Sequence, residues 1–214
     1  MTDKTARPAT IYSIGHSNHP IERFIALLQG AGVASVLDVR SVPQSRHVPQ
    51  FGRQRLQAAL AAAGIDYVFL GDMLGGKPKD PAMRQGGVVD YERIAATAAF
   101  QAGLDRVATQ GAQQPAALMC AEKAPLDCHR TVLVSRHLAA RGHGVMHILA
   151  DGTLMPHAAV EDALLERYAP ADDLLTRAED RAARLAMAYR RRGAQMLGNP
   201  SPRESGKKVP RSGG

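Results

Sequence analysis

The sequence predicts an α/β protein: a compact, mostly parallel sheet of about five strands with helices on both faces, followed by C-terminal helices. Three observations carry this. Short runs of Val, Ile and Leu alternate with longer runs whose apolar residues recur at helical spacing between residues 10 and 150. Glycine and proline punctuate the joints between them. Parallel strands joined by right-handed helical crossovers cover a sheet on both faces, a doubly wound arrangement.

The elements follow in order. Residues 10–14 read as a strand ending in Gly15, His16, Ser17 and Asn18. Pro20 opens a helix in which Ile21, Phe24, Ile25, Leu27 and Leu28 share a face, and Gly30 and Gly32 end it. A second strand spans 35–39, and a polar loop fills 41–50. Residues 53–63 form a helix closed by Gly64, and 65–70 a third strand. The Gly/Pro/Lys stretch at 71–87 is too long for an ordinary connector and reads as a functional loop. A helix at 91–109, a short buried strand at 116–119, a helix at 128–141 and a strand at 144–149 complete the core. Residues 157–168 and 172–192 are helical, the latter with Leu174, Ala178, Ala182, Leu185 and Tyr189 along one side. From residue 193 onward Gly, Pro, Ser and Lys dominate, which predicts disorder. The organisation is thus a core at 10–150, a helical extension at 151–192 and a basic tail at 193–214.

Composition bounds the function. With 45% apolar residues but no Trp and 4% aromatics, the core is aliphatic. Two cysteines make no disulfide framework. Without a basic-apolar leader or an apolar run near membrane-spanning length, the expected location is the cytoplasm, with reduced thiols and no membrane partner. The net charge of +7 is local: residues 1–176 hold 17 Lys/Arg and 17 Asp/Glu, whereas 177–214 hold ten and three. The basic excess therefore belongs to the C-terminal segment and says nothing about the core.

In a parallel sheet the strand C-termini share one edge, where ligands bind. That edge collects His16, Ser17 and Asn18; Asp38, Arg40 and Ser41, with Arg46 and His47 beyond; Lys77 and Lys79; and Cys120, Glu122 and Lys123. Residues 120–130 place both cysteines, Glu122, Lys123, His129 and Arg130 between a strand and a helix. A helix start favours a thiolate at Cys128 and an anion beside Arg130. The candidate catalytic residues are Cys128, Cys120, His16, His129 and Glu122, and the candidate substrate-binding residues are Asn18, Asp38, Arg40, Arg46 and Arg130. Each keeps a plainer alternative: both cysteines suit a core, His129 suits an exposed cap, and Asp38 and Arg40 suit loop pairing. His137, His143, His147 and His157 read as structural or surface residues. Cys120, Cys128 and His129 are metal-ligand types, but their spacing lacks the CxxC pair of common structural zinc sites, so no metal is assigned. No GxGxxG or GxxxxGK[ST] is present, which argues against standard dinucleotide and P-loop sites, and no cofactor is specified.

Ser13-Ile-Gly-His-Ser-Asn18, Leu37-Asp-Val-Arg-Ser-Val-Pro43, the loop carrying Arg46, Pro49, Gln50 and Phe51, and Cys120-Ala-Glu-Lys123 with Cys128-His-Arg130 together resemble the prokaryotic family known as domain of unknown function 488. The resemblance runs in order through about residues 10–150. It implies a compact α/β domain, no settled activity and no named substrate, and it is silent on the basic extension.

Two functional readings stay open. One is a small enzyme acting on an anionic, phosphate-bearing substrate, possibly a nucleotide or nucleic-acid component, at the Cys/His/Arg/Glu edge. The other is a non-catalytic nucleic-acid-binding module using the basic C-terminal segment. The first needs its polar groups to converge in a concave pocket, and the second needs a continuous basic surface. Oligomeric state is not legible.

Overall fold

A computed structural model describes residues 10–86, 88–169 and 181–198. The architecture is α/β, with a six-stranded sheet in the order β3-β2-β6-β1-β7-β8. Five strands run parallel: β1 (Thr10–Gly15), β2 (Ser35–Asp38), β3 (Asp66–Phe69), β6 (Ala116–Cys120) and β7 (Gly144–Ile148). The sixth, β8 (Leu154–Pro156), pairs antiparallel with β7. It lies beyond residue 150, so the sheet extends past the boundary expected from sequence, and a turn at Gly152 lets the chain double back onto the edge.

Two helices cover one face: α1 (Ile21–Gly30) and α2 (Arg53–Ala62) pack Phe24, Leu27, Leu28, Leu56 and Leu60 against Ile14, Val36, Ala117 and Met119. The other face is covered by α5 (Ala98–Gln113) and by the helix after β6, through Phe100, Leu104, Val107, Leu133 and Leu138 against Ile11, Leu37 and Leu118. Strand residues pointing alternately to two aliphatic cores explain why β2 and β6 are buried throughout.

Several elements differ from the sequence expectation. The helix expected at 91–109 is two helices, α4 (Tyr91–Ala95) and α5, because Thr97 Oγ1 accepts from the Phe100 N–H and starts a new helix there. The 71–87 stretch holds a short helix, α3 (Gly71–Leu74), and β4 (Arg84–Gln85), which pairs with β5 (Val88–Val89). The helix after β6 opens as a π-helix at Arg130–Ser135, not at Cys128, and continues as α6 (Arg136–Ala140). The last helix is described from Arg181 and continues to Met196 as α8, past residue 192. Its expected beginning at 172–180 and the expected disorder at 199–214 lie outside the described residues. Among the described residues no helix is long and apolar enough to cross a membrane.

This strand order positions the site. The crossovers from β1 to β2 and from β2 to β3 run toward one edge of the sheet, and those from β3 to β6 and from β6 to β7 run toward the other. The chain leaving β6 therefore parts from the chains leaving both of its neighbours. A crevice opens at its C-terminal end, where Cys120 lies.

The helices α7 (His157–Tyr168) and α8 pack on each other and on Val132. A buried polar chain ties them to the sheet. His147 on β7 lies 3.0 Å from His157 Nδ1, His157 Nε2 lies 3.0 Å from the Tyr189 hydroxyl, and that hydroxyl donates to Glu161 at 3.3 Å. One proton order satisfies every link, with both imidazoles neutral: each donates from Nε2, and His157 accepts at Nδ1. Burial and the neighbouring His157 pull the His147 pKa down to about 2, and burial lowers that of His157. The unfolded chain binds protons at these histidines below about pH 6.5 and the native chain does not, so stability is full above that pH and falls as pH drops through it. We expect the unfolding free energy, from urea titrations between pH 8 and pH 5, to fall by up to about 1.4 kcal/mol per pH unit for each such histidine. His157→Gln should make that dependence shallower.

Candidate functional site

Two polar networks flank the end of β6. The first is built on β2. Asp38, wholly buried, accepts from Arg40 Nε at 2.9 Å and NH2 at 2.7 Å, and from the Tyr67 hydroxyl at 2.8 Å. Arg40 NH1 also reaches His16 Nε2 at 3.2 Å. His16 donates from Nδ1 to the Ser17 carbonyl at 2.8 Å, so Nε2 carries the lone pair that Arg40 engages. Burial, with Arg40's charge acting the same way, lowers the His16 pKa to about 4, and its ring stacks on Phe51. His16 is therefore a neutral, fully engaged positioning group in this arrangement. Asp38 and Arg40 support each other, and Arg40 still lines the cleft.

The second network is built on the loop after β6. Arg130 is wholly buried and donates to Ser13 Oγ at 3.0 Å, the Glu122 carbonyl at 2.6 Å and the Lys123 carbonyl at 3.3 Å. Its guanidinium clamps the loop to β1 and is not among the side chains that line the cleft. Gly15 makes the clamp possible: a Cβ there would stand 1.9 Å from the Glu122 carbonyl oxygen.

The clamped loop brings four reactive side chains together. Glu122 Oε2 lies 3.3 Å from Cys120 Sγ and 3.0 Å from Cys128 Sγ. His129 Nδ1 lies 3.5 Å from Cys120 Sγ and 4.0 Å from Cys128 Sγ. His129 Nε2 donates to the Val39 carbonyl at 3.0 Å, which fixes the ring with Nδ1 facing the sulfurs; burial opposes its ionisation, but the bond to Cys128 and that sulfur's charge raise its pKa. Gly76 holds the other side of the ring, since a Cβ there would meet His129 Cγ at 2.6 Å. His129 is thus buried and fixed rather than an exposed cap. The thiols are unequal. A hydrogen bond to Cys128 and burial push the Cys120 thiol well up. Burial also opposes ionisation of Cys128, but the bond from Cys120 and the charges of Arg130 and His129 outweigh it and hold that thiol well down. Burial and the Cys128 charge raise the Glu122 pKa.

A cleft of about 650 Å³ opens over this group, lined in part by Arg40, Lys77, Cys120, Glu122, His129 and Arg192. Cys128 does not line it and has no exposed surface. Asn18 is exposed and accepts only from Ser17 at 3.3 Å, and Arg46 is exposed beside a separate shallow depression. Neither joins the cleft.

A family model for a domain of unknown function, DUF488, matches residues 20–137. The chain belongs to the DUF488 family. No curated protein and no solved structure matches it. The matched stretch of this DUF488 chain contains Asp38, Arg40, Cys120, Glu122, Cys128, His129 and Arg130. Ser13, Gly15 and His16 on β1 and Arg192 on α8 lie outside it.

Sequence reasoning about this DUF488 protein missed four contributors. Ser13 had a signal, a polar residue inside an apolar strand. Tyr67 sits on β3 opposite Val36, and its hydroxyl reaches Asp38 further along β2, a contact that only strand pairing reveals. Tyr91 and Arg192 reach the cleft from distant segments with no local motif. Arg192 donates to the Leu126 carbonyl at 2.7 Å and to Asp127 at 2.6 Å, so α8 closes one side of the site.

Two outcomes follow from the buried contacts. Asp38→Ala strands the buried Arg40 charge and should cost about 3–5 kcal/mol in chemical denaturation. Gly15→Ala drives a methyl into backbone, which cannot swing aside, and should cost about 1–3 kcal/mol in the same measurement.

Proposed function

We propose that this protein is an enzyme whose reacting groups are Cys120, Glu122, Cys128 and His129, acting on a small anionic substrate held in the cleft above them. One observation carries the reading: the Cys120 sulfur, the Glu122 carboxylate and the His129 imidazole line an open cleft of about 650 Å³, with the buried Cys128 sulfur 3.0 Å from that carboxylate. Buried polar groups collected this way cost stability, and a structural role needs no cleft above them. The cleft volume suits a metabolite rather than a polymer. Lys77 is exposed at the rim, and Arg40 contributes positive potential from the floor, which favours a phosphate-, sulfate- or carboxylate-bearing substrate. Glu122 is the proton acceptor in this reading, because its Oε2 faces the Cys120 thiol at 3.3 Å.

The alternative of a nucleic-acid-binding module is weaker on the described residues. Arg192 is engaged with Asp127, and Arg191 donates to the Tyr168 carbonyl, so the cluster at 190–192 is largely spent inside the protein.

The test is to incubate the purified full chain with a cell metabolite extract and follow consumed and formed species by mass spectrometry, beside Glu122→Gln. The wild type should convert at least one anionic metabolite, and the variant should do so about 10²–10⁴-fold more slowly. Identical profiles for the wild type, the variant and a no-protein control would overturn the proposal.

A further inference from the structure

The geometry points to a divalent transition-metal site, with Cys120 Sγ, Cys128 Sγ and His129 Nδ1 as its three protein ligands and Zn²⁺ or Fe²⁺ as the class of ion. This shares its residues with the proposed function but does not depend on the protein being an enzyme. The three ligand atoms all lie within 4.8 Å of one another. Bond lengths of about 2.3 Å to sulfur and 2.0–2.1 Å to nitrogen put tetrahedral ligand atoms about 3.5–3.8 Å apart. The sulfur-to-Nδ1 separations of 3.5 Å and 4.0 Å are close to that spacing.

The second shell is an independent observation. Metal-bound histidine usually donates its other ring N–H to a carbonyl or carboxylate, which fixes the ring and points the lone pair at the ion. His129 does this toward the Val39 carbonyl at 3.0 Å, and the ring packs on Gly76, where a Cβ would stand 2.6 Å from its Cγ. Two thiolates and an imidazole suit zinc and iron, whereas magnesium and calcium take oxygen donors.

Charge and access complete the argument. Two thiolates neutralise a dication, and a sulfur that is still protonated gives up its proton as the metal binds. The nearby acceptor is Glu122, whose Oε2 already faces both sulfurs. Cys128 is sealed behind the floor while Cys120, Glu122 and His129 face the cleft, so a fourth coordination position opens toward the cleft beside Glu122. Three protein ligands with an open fourth position is the pattern of catalytic rather than structural zinc. The sequence argument against a metal rested on the missing CxxC spacing, and the turn between Glu122 and Cys128 closes the gap that the spacing leaves.

The experiment uses the full chain, reduced and stripped with a chelator, then titrated with Co²⁺ and Zn²⁺. We expect one equivalent of either metal, thiolate-to-cobalt charge-transfer absorption that zinc displaces, and net proton release at neutral pH. Cys120→Ser, Cys128→Ser and His129→Gln should each weaken binding more than the 10–100-fold typical of losing a second-shell contact, about 100-fold or more. If a variant does not fold, the wild type alone decides: bound zinc should protect both thiols from alkylation at least about tenfold relative to the stripped protein. Cobalt spectra without sulfur bands, equal binding by folded variants, or thiols that alkylate at the same rate with and without zinc would overturn the site. Metal bound at one equivalent without metabolite turnover would support the site and remove the enzyme reading. Turnover that survives complete metal removal would overturn a metal role and leave the enzyme reading standing.

Discussion

A guanidinium with no exposed surface must have its N–H groups answered, and those of Arg130 are. Its donors reach Ser13 and the carbonyls of Glu122 and Lys123, and among the described residues no carboxylate pairs with it. Its positive charge, with the bond from Cys120, acts against burial to hold the Cys128 thiol well down. This one side chain therefore joins β1, the loop after β6 and the thiol electrostatics. Released, the loop would lose the anchor that holds Glu122 against the sulfurs, and burying an unanswered charge would cost several kcal/mol.

The polar wall built on Asp38 plays a different part. Asp38, Arg40, Tyr67 and His16 answer one another, so the group is stable when buried but has little capacity to move protons. Its use is positional. It fixes the end of β2, from which the Val39 carbonyl sets the orientation of His129. The less evenly shared group is in the loop after β6, where Glu122 and His129 face the two sulfurs.

The C-terminal helices make the site deeper. α8 docks through the Val132 cluster and the His147–His157–Tyr189 chain, and Arg192 then fastens it to Asp127 at the rim. Much of the basic excess in this segment is consumed internally. Arg181 pairs with Glu161 and Asp162, Arg184 donates to the Ala169 carbonyl, and Arg191 to that of Tyr168. Net charge in sequence was thus a poor guide to free charge on the surface.

The sequence by itself determined the α/β alternation, the parallel sheet and the strand edge on which the polar residues gather. These follow from periodicity and from the sterics of right-handed crossovers, which are local. It also singled out residues 120–130, because reactive types crowd there at a strand-to-helix joint. Tertiary structure decided the roles. Arg130 and His16 look like ligand-binding and acid–base groups in sequence, yet burial turns them into a clamp and a support. Asn18 and Arg46 follow strands of the right edge but lie away from the cleft, because loop direction is not encoded in strand order. The break at Thr97, the added strand β8, and the reach of Tyr91 and Arg192 into the cleft depend on contacts between segments far apart in the chain. The meeting of Cys120, Cys128 and His129 depends on how one loop folds back. Spacing along the chain says which residues can meet, and only packing says which way their lone pairs point.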